Sequence, residues 1–488
     1  MSEMKPTRPE MVRSVRVFQA LRNFGAAFRG VEADFYSMSK PTKKMQFWSH
    51  SWHGSMTAKV LTLYLTQNAF PAAFLSTILA FCVTMFFALS RIPSLDHVVS
   101  TFSERAVPCC LPLAFASYGL VLLFWQRQEE VFVDKLCINE WDRQLKAEGI
   151  LNIGAILKSS DSMLVLWDKT YQKRLWCLFE IAAFLHSRPD GQKPHLVIRP
   201  TLLGPLVAVL NLGLIVGSGA AYLSAYVADL TSEGSGPILP FWVLFGLITV
   251  QVQFAVADLA RRYCREVEDL SQELRSFRLD DARAWCCSVG HVNPASGGSI
   301  PCDRAVVERC ICSWFGCVDE FERTVRTEVL SILDSQLSTA LTSYCRIVEA
   351  SPCILWAFAD FSVSPMLEGN ADAAMRLLLR GFAYWLGVVP AFLAVLYRMA
   401  HCLRRARRSW CLDKLVSMML ACFGVCLFVC TAVAEGALFG LLRPWLPRAA
   451  YGAIFCFSSL TLAALLWNRP RCFPRRPLFG ASAATLRV

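Results

Sequence analysis

Long uninterrupted runs of apolar residues dominate the hydrophobic pattern of this chain. Each run approaches the roughly 20 residues that an α-helix needs to cross the hydrocarbon core of a bilayer. The runs are apolar on every face, a pattern typical of membrane spans and not of soluble amphipathic helices. Seven runs therefore predict transmembrane helices, over residues 70–89, 107–125, 202–227, 238–256, 381–397, 415–434 and 449–467.

The charges beside these runs predict their orientation, because cytoplasmic loops of membrane proteins collect Lys and Arg. Acids with few cations occupy the loops within the first and second pairs of runs, whereas three Arg follow the fourth run directly. We therefore expect two hairpins, with segments 1–69, 126–201 and 257–340 facing the cytoplasm. The charged residues concerned are Asp96, Glu104, Asp229, Glu233, Arg261, Arg262 and Arg265.

The last three runs require one more crossing. The link 398–414 holds six basic residues against one acid, Asp413, and the tail 468–488 is also basic. Both segments are expected in the cytoplasm, so an additional span must precede the fifth run. The stretch 353–363 is the candidate, but its shortness and Asp360 also fit a re-entrant or interfacial segment. The charge pattern favours eight crossings over seven.

The composition agrees with a multi-pass integral membrane protein. Of 488 residues, 55% are hydrophobic and 18% charged, and the mean hydropathy of +0.41 is well above the usual value for a soluble protein. The net charge of +11 fits basic cytoplasmic loops, so we predict the lipid bilayer as a partner and no nucleic acid.

The polar segment 1–44 has no secretory-signal pattern. Many of the 21 cysteines lie in apolar runs, which favours packing over a disulfide scaffold.

The cytoplasmic segment 126–201 has a different pattern, in which strands alternate with helices. This alternation predicts an α/β domain with a parallel, doubly wound sheet. Ligands bind such sheets outside the carboxyl ends of the strands, where Asp134, Trp167 and Asp168 fall. The predicted strands cover 131–134, 163–167 and 196–198, and the predicted helices cover 149–157 and 174–186.

These motifs resemble the middle of a Toll/interleukin-1 receptor (TIR) domain. The matching features are Val-Phe-Val-Asp at 131–134, the Ser-bearing turn at 159–162 and Trp-Cys-Leu-Phe-Glu-Ile at 176–181. The stretch 134–142 is also similar to a strand-end motif of heterokaryon-incompatibility domains. The resemblance covers roughly 100 residues. It lacks an evident last strand and helix before the third apolar run.

The resemblance implies an earlier first strand, and 45–52 is the matching stretch, followed by a helix over 56–67. Segments 45–69 and 126–201 would then form one domain split by the transmembrane hairpin 70–125. Ser49, His50 and Trp176 join the candidate ligand crevice on this basis. Core packing is the alternative for Trp176 and Cys177, and a solvated turn is the alternative for His50 and His53.

The resemblance implies signalling by self-association of a membrane-anchored domain. Some TIR domains cleave NAD with the Glu of the Trp-Cys-x-x-Glu helix, which corresponds to Glu180 here, so a second hypothesis is an NAD glycohydrolase with NAD as its substrate. A carboxylate can stabilise the oxocarbenium-like state of that cleavage. The competing interpretation is a structural Glu180, which is either partly exposed on its helix or paired with Lys173 or Arg174 on a neighbouring turn.

The remaining soluble segment is the insert 257–342, between the hairpin 202–256 and the C-terminal bundle 343–467. Apolar residues spaced three and four apart over 318–336 predict an amphipathic helix there. Six potential metal ligands also lie in the insert, but no Cys-x-x-Cys pair accompanies them, so reduced thiols are favoured over zinc and no metal site is predicted. These residues are Cys286, Cys287, His291, Cys302, Cys310 and Cys312.

A channel or transporter with a cytoplasmic sensory domain is the third hypothesis. The confident runs carry no Asp, Glu, Lys or Arg near their centres, which disfavours ion-coupled transport. Asp360 and the link 398–414 are the places where such a function would lie. Gly213 and Gly217, four residues apart in the third run, predict close helix packing.

Overall fold

The computed structural model describes residues 2–30, 33–90, 110–189, 194–232, 238–292, 297–340 and 344–468. It is mostly helical, at 73%, with one small mixed sheet. The main helices are α1 Met56–Ser90, α2 Cys110–Phe124, α3 Arg143–Leu151, α4 Ile153–Ser159, α5 Leu175–His186, α6 Leu203–Ser232, α7 Ile238–Arg275, α8 Asp303–Phe315, α9 Val318–Thr324, α10 Leu330–Ala340, α11 Tyr344–Ala350, α12 Cys353–Leu367, α13 Ala371–Phe382, α14 Val389–Cys402, α15 Trp410–Leu442 and α16 Arg448–Asn468.

Six strands form the sheet in the order β2-β1-β4-β3-β5-β6. The four strands β4, β3, β5 and β6 are parallel, whereas β1 pairs antiparallel with both β2 and β4. The parallel part is buried, as both faces of a parallel sheet usually are. The strands are β1 Arg13–Arg16, β2 Lys40–Pro41, β3 Met45–His50, β4 Glu130–Phe132, β5 Ser160–Trp167 and β6 Leu196–Pro200.

The parallel sheet joins two distant parts of the chain. Gln46 and Phe47 of β3 lie beside Val131 and Phe132 of β4, and β3 also pairs with β5 along its whole length. The first strand predicted at 45–52 and the strand predicted at 131–134 are therefore neighbours in one parallel sheet. The aromatic rings of Phe47 and Phe132 stack across this pair, with their centroids 4.7 Å apart.

The N-terminal segment, expected to be only polar, contributes strands β1 and β2 to the edge of this sheet. Ser14 and Val15, the two central residues of β1, point to opposite faces of the strand, and each is 1% exposed. The other edge, β6, is covered by the insert. There the Gln336 side chain of α10 accepts a hydrogen bond from the Ile198 N–H (2.8 Å) and donates one to the Leu196 carbonyl. Both edges of the parallel sheet are thus protected from pairing with other chains.

Within the described part of the chain, four helical segments are long and apolar enough to cross a membrane: 56–87, 371–402, 410–442 and 448–467. A fifth candidate is the pair α11 and α12, bent by 50° at its break, which contains the doubtful stretch 353–363. Helix α2 and the start of α6 are apolar but shorter. The loops with Asp96, Glu104 and Glu233 and the basic tail 469–488 lie outside the described residues.

Two helices continue without a break across the predicted boundaries between apolar runs and soluble segments. Helix α1 has 35 residues, so the helix predicted after the first strand and the first apolar run are one rod of about 52 Å with Pro71 inside it. Helix α7 has 38 residues and extends the fourth apolar run to Arg275, inside the predicted insert. The expected boundaries at 69 and 256 are therefore positions within continuous helices.

The segments expected on the cytoplasmic side lie together at one end of the helices. Arg261 of α7 is fully buried and contacts Asp413 of α15, with Nη2 2.7 Å from Oδ1. Lys414 Nζ lies 2.7 Å from Asp258 Oδ2. The basic link 398–414 therefore packs directly against the start of the insert, as the charge pattern requires of two segments on one side.

Candidate functional site

The candidate site is the crevice at the carboxyl ends of β3 and β5. Numbered by their order along the chain, the four parallel strands lie in the spatial order 2-1-3-4. The chain therefore passes from β3 to β4 on one side, and then crosses to β5 on the other side of β3. Ligand sites of open α/β sheets lie at such a switch point. The predicted residues Ser49, His50, Asp134, Trp167 and Asp168 all fall at or just beyond these strand ends.

Glu180 reaches this crevice from α5. Ser49 donates a hydrogen bond to Glu180 Oε2 and also contacts the Tyr171 hydroxyl at 2.6 Å. Ser49 and Tyr171 are buried, whereas Glu180 is partly exposed. Within the described residues no ion pair joins Glu180 to Lys173 or Arg174. The carboxyl group thus faces the sheet and not its own helix surface.

The surroundings of Glu180 favour its protonated form. The pKa of Glu180 is raised to about 8. Loss of hydration is the largest cause, the Ser49 hydrogen bond opposes it, and the nearby Asp134 adds to the increase. Burial also raises the pKa of the Tyr171 hydroxyl well above its usual range, so this phenol remains a hydrogen-bonding group. The site therefore offers a carboxyl group that can exchange a proton near neutral pH.

A buried ion pair forms the floor of the crevice. Lys59 of α1 is fully buried, and its Nζ lies 3.0 Å from Asp168 Oδ2 and donates to the Ser51 carbonyl. The other carboxylate oxygen of Asp168 accepts hydrogen bonds from the backbone N–H (2.8 Å) and the hydroxyl of Thr170. A Cβ at Gly54 would overlap the Asp168 carboxylate, so any other residue there would displace this carboxylate from its position beside Lys59.

Aromatic side chains line the other wall. His50 lies between Phe28 and Trp52, with ring centroids 5.1 and 4.6 Å away. Burial lowers the pKa of His50, so the imidazole is neutral at pH 7, and its Nε2 has no hydrogen-bond partner among the described protein atoms. Trp52 Nε1 donates to Asp134 Oδ2 at 2.9 Å. This wall combines apolar ring faces with a partly exposed carboxylate.

The remaining predicted residues occupy different places. Trp167 is buried and stacks on Tyr171, with centroids 4.6 Å apart. Trp176 points away from the crevice, because its Nε1 donates to Asp303 Oδ2 of the insert at 3.2 Å. Cys177 is buried under the sheet, and its Sγ lies 3.6 Å from the His50 carbonyl. His53 is exposed.

Sequence reasoning missed several members of this site. Lys59, Trp52, Thr170 and Tyr171 were not singled out, although Lys59 is the one cation between the first strand and the first apolar run. A lone Lys in an apolar helix indicates a buried partner, since an unpaired charge is costly to bury. That signal could have identified Lys59 but not Asp168 as its partner.

Asp360 holds two helices together through hydrogen bonds. It is fully buried in α12, and its two carboxylate oxygens accept hydrogen bonds from the backbone N–H groups of Cys110 (2.7 Å) and Leu111 (2.8 Å) in α2. A carboxylate that satisfies helical N–H groups in this way stabilises helix packing. These hydrogen bonds give a structural reason for an acid inside an apolar helix.

Comparisons with protein-family models, with curated proteins and with solved structures found no match to this chain.

Proposed function

We propose that the chain is a membrane-anchored signalling protein that acts through self-association of a split, TIR-like cytoplasmic domain. The order of the parallel strands carries this proposal. Strand β3 lies between β4 and β5, with the site motifs at the adjacent strand ends, which is the arrangement expected of a TIR-like sheet. Membrane helices attached to both halves confine the domain to the bilayer surface, where effective concentrations are high.

We assign this association to a surface that carries an exposed indole. Trp141 is 63% exposed in the loop before α3, and Leu151 at the end of α3 is 53% exposed. The loop is ordered: the Asn139 side chain accepts from the Trp141 N–H at 2.9 Å, and Asp142 caps α3. A large aromatic side chain held by a fixed backbone loses little entropy on binding and is typical of interface hot spots.

We expect Trp141→Ala to weaken self-association about tenfold. The measurement is fluorescence energy transfer between labelled full-length chains in liposomes, followed as the protein-to-lipid ratio is lowered. Trp285→Ala is the matched control, because Trp285 is 51% exposed on the insert. Wild-type chains that show no transfer at any density, or a Trp141→Ala curve equal to wild type, would contradict the proposal.

The second candidate function is NAD hydrolysis, favoured by the position of Glu180 at the switch point beside Ser49 and Tyr171. The ionised carboxylate would stabilise positive charge that develops on the ribose as the bond to nicotinamide breaks, and water would complete the hydrolysis. The aromatic wall formed by Trp52 and His50 suits a planar ring. In this role Glu180 must lose its proton first.

Nicotinamide release from NAD by the full chain in liposomes tests this candidate. Because the pKa of Glu180 is about 8, its ionised fraction and the rate should rise about tenfold between pH 7 and pH 9. Glu180→Gln should abolish release, whereas Glu328→Gln, at an exposed carboxylate, should not. A densely reconstituted sample without release, or release that survives in Glu180→Gln, rules out this function.

A further inference from the structure

Four potential metal ligands of the insert converge outside the crevice. The Sγ atoms of Cys286, Cys287 and Cys302 and a ring nitrogen of His291 all lie within 4.8 Å of one another. The sequence suggested reduced thiols here because the ligands are not paired as Cys-x-x-Cys. The fold brings the ligands together from a different spacing. Two Cys are adjacent, a His follows the second Cys by four residues, and the last Cys directly precedes α8.

The distances fit a tetrahedral metal ion. With zinc–sulfur bonds of about 2.3 Å, two thiolates on one tetrahedral zinc lie about 3.8 Å apart. The Sγ atoms of Cys286 and Cys287 are 3.9 Å apart, and Cys287 Sγ is 3.7 Å from His291 Nε2. The separation of the two sulfur atoms is far longer than a disulfide bond, which is about 2.05 Å.

The backbone around these ligands holds them in place. Cys286 and Cys287 lie on the short helical turn Trp285–Ser288, and the His291 N–H donates to the Cys286 carbonyl at 2.8 Å. Gly290 and His291 both adopt a left-handed conformation, with φ of 61° each, which turns the imidazole back toward the thiols. A non-glycine residue rarely adopts this conformation, so the surrounding structure must support it.

Backbone N–H groups also compensate negative charge on the sulfurs. The Asp303 N–H donates to Cys286 Sγ at 3.3 Å. The N–H groups of Ala305 and Arg304, in the first turn of α8, face the Cys302 sulfur. Such backbone donors suit sulfur in its thiolate form, which is the form of Cys that binds metal.

We propose that Cys286, Cys287, His291 and Cys302 bind one structural Zn²⁺ ion. Three thiolates and one imidazole complete a tetrahedral set without an open position, which is the composition of structural and not catalytic zinc sites. Soft sulfur donors select zinc over the hard cations Mg²⁺ and Ca²⁺. Binding displaces the remaining thiol protons to solvent, and no oxidation takes place.

The site connects the insert to the helix that carries Glu180. Asp303, directly after Cys302, accepts the hydrogen bond of Trp176 in α5, and the Leu175 N–H of the same helix donates to the Arg283 carbonyl at 3.2 Å. Zinc would therefore fix both flanking segments of the insert against the start of α5. This explains why Trp176 points away from the crevice and toward the insert.

Metal analysis of the full chain, purified with a thiol reductant and low zinc, tests the site. We expect one zinc per chain, lost in Cys287→Ser and in Cys302→Ser and retained in Cys312→Ser and Cys317→Ser, which change exposed thiols of the same insert. Replacement of zinc by Co²⁺ should give the visible absorption of a tetrahedral cobalt–thiolate centre.

A ligand variant could lose zinc by misfolding, so substitutions of His291 provide a second test. His291→Cys keeps four ligands and should retain zinc. His291→Ala keeps three and should bind zinc more weakly. Wild-type protein without zinc above background and without a cobalt–thiolate spectrum would overturn the proposal. Zinc content in a folded Cys302→Ser variant equal to wild type would overturn it as well.

Discussion

Replacement of Lys59 with Met should lower the free energy of unfolding by about 3–5 kcal/mol. Lys59 is fully buried, and its Nζ is 3.0 Å from Asp168 Oδ2. Met retains the apolar stem but leaves the Asp168 carboxylate in a buried site with only the two Thr170 donors. Removal of one partner destabilises the protein by more than the intact pair stabilises it, because the remaining buried charge is not hydrated.

The unfolding midpoint in detergent micelles, followed by circular dichroism, measures this loss. The double variant Lys59→Met/Asp168→Asn should recover more than half of it, since Asn can still accept the Thr170 hydrogen bonds without carrying a charge. Lys158→Met, at an exposed Lys of the same domain, should change stability by about 0.5 kcal/mol or less. Equal midpoints for Lys59→Met and Lys158→Met would show that the buried pair does not stabilise the domain.

The second large effect is expected at the contact between α1 and the start of α6. A Cβ at Gly204 would overlap the backbone nitrogen and the hydroxyl of Thr62, and the same hydroxyl accepts the Gly204 N–H at 3.0 Å. Backbone atoms cannot move aside as the end of a side chain can. Gly204→Ala should therefore destabilise the protein by about 1–3 kcal/mol, although Ala is the better helix former.

Gly217→Ala is the matched control for this substitution, because a Cβ at Gly217 in the same helix meets no atom of the described side chains or backbone within 4 Å. We expect this control to leave the midpoint unchanged or to raise it slightly. Thermal unfolding of both variants in the same detergent makes the comparison direct. A Gly204→Ala protein as stable as Gly217→Ala would contradict the close approach of the two helices.

The pair Gly213 and Gly217 shows how far helix packing could be predicted. Their spacing predicted close packing at both positions. Among the residues whose side chains are described, Gly213 lies against a neighbour, Val252 of α7, and Gly217 does not. Gly204, which has the tightest backbone contact of the three, carries no such spacing signal. Close approach depends on where two helices cross, and the crossing point is set by the loops and by the sheet, not by the local pattern.

The parallel sheet was largely predictable from the sequence because each buried strand is a short apolar run followed by a polar residue. Strands β1 and β2 were missed, since Arg-Ser-Val-Arg and Lys-Pro are too polar and too short to indicate a strand. They exist because the edge of β4 offers unpaired backbone groups. Tertiary pairing, not local preference, determines these two strands.

The site was predictable where a motif or a strand end marked it, as at Glu180, Asp134 and Asp168. The partners of these residues were not, because Ser49 meets Glu180 across 131 positions of the chain and Lys59 meets Asp168 across 109. The zinc hypothesis was set aside for a related reason. Ligand spacing along the chain gave no indication that a left-handed turn at Gly290 and His291 closes the cluster.

Helix α1 runs without interruption from the crevice to the far end of the first apolar run. Lys59 and the apolar residues after Phe70 therefore belong to one helix of about 52 Å. If that apolar run crosses a bilayer, its tilt adjusts to the hydrocarbon thickness of the surrounding lipid. A change of tilt would then displace the ammonium group of Lys59 relative to the sheet and couple the thickness of the bilayer to the ion pair beneath the crevice.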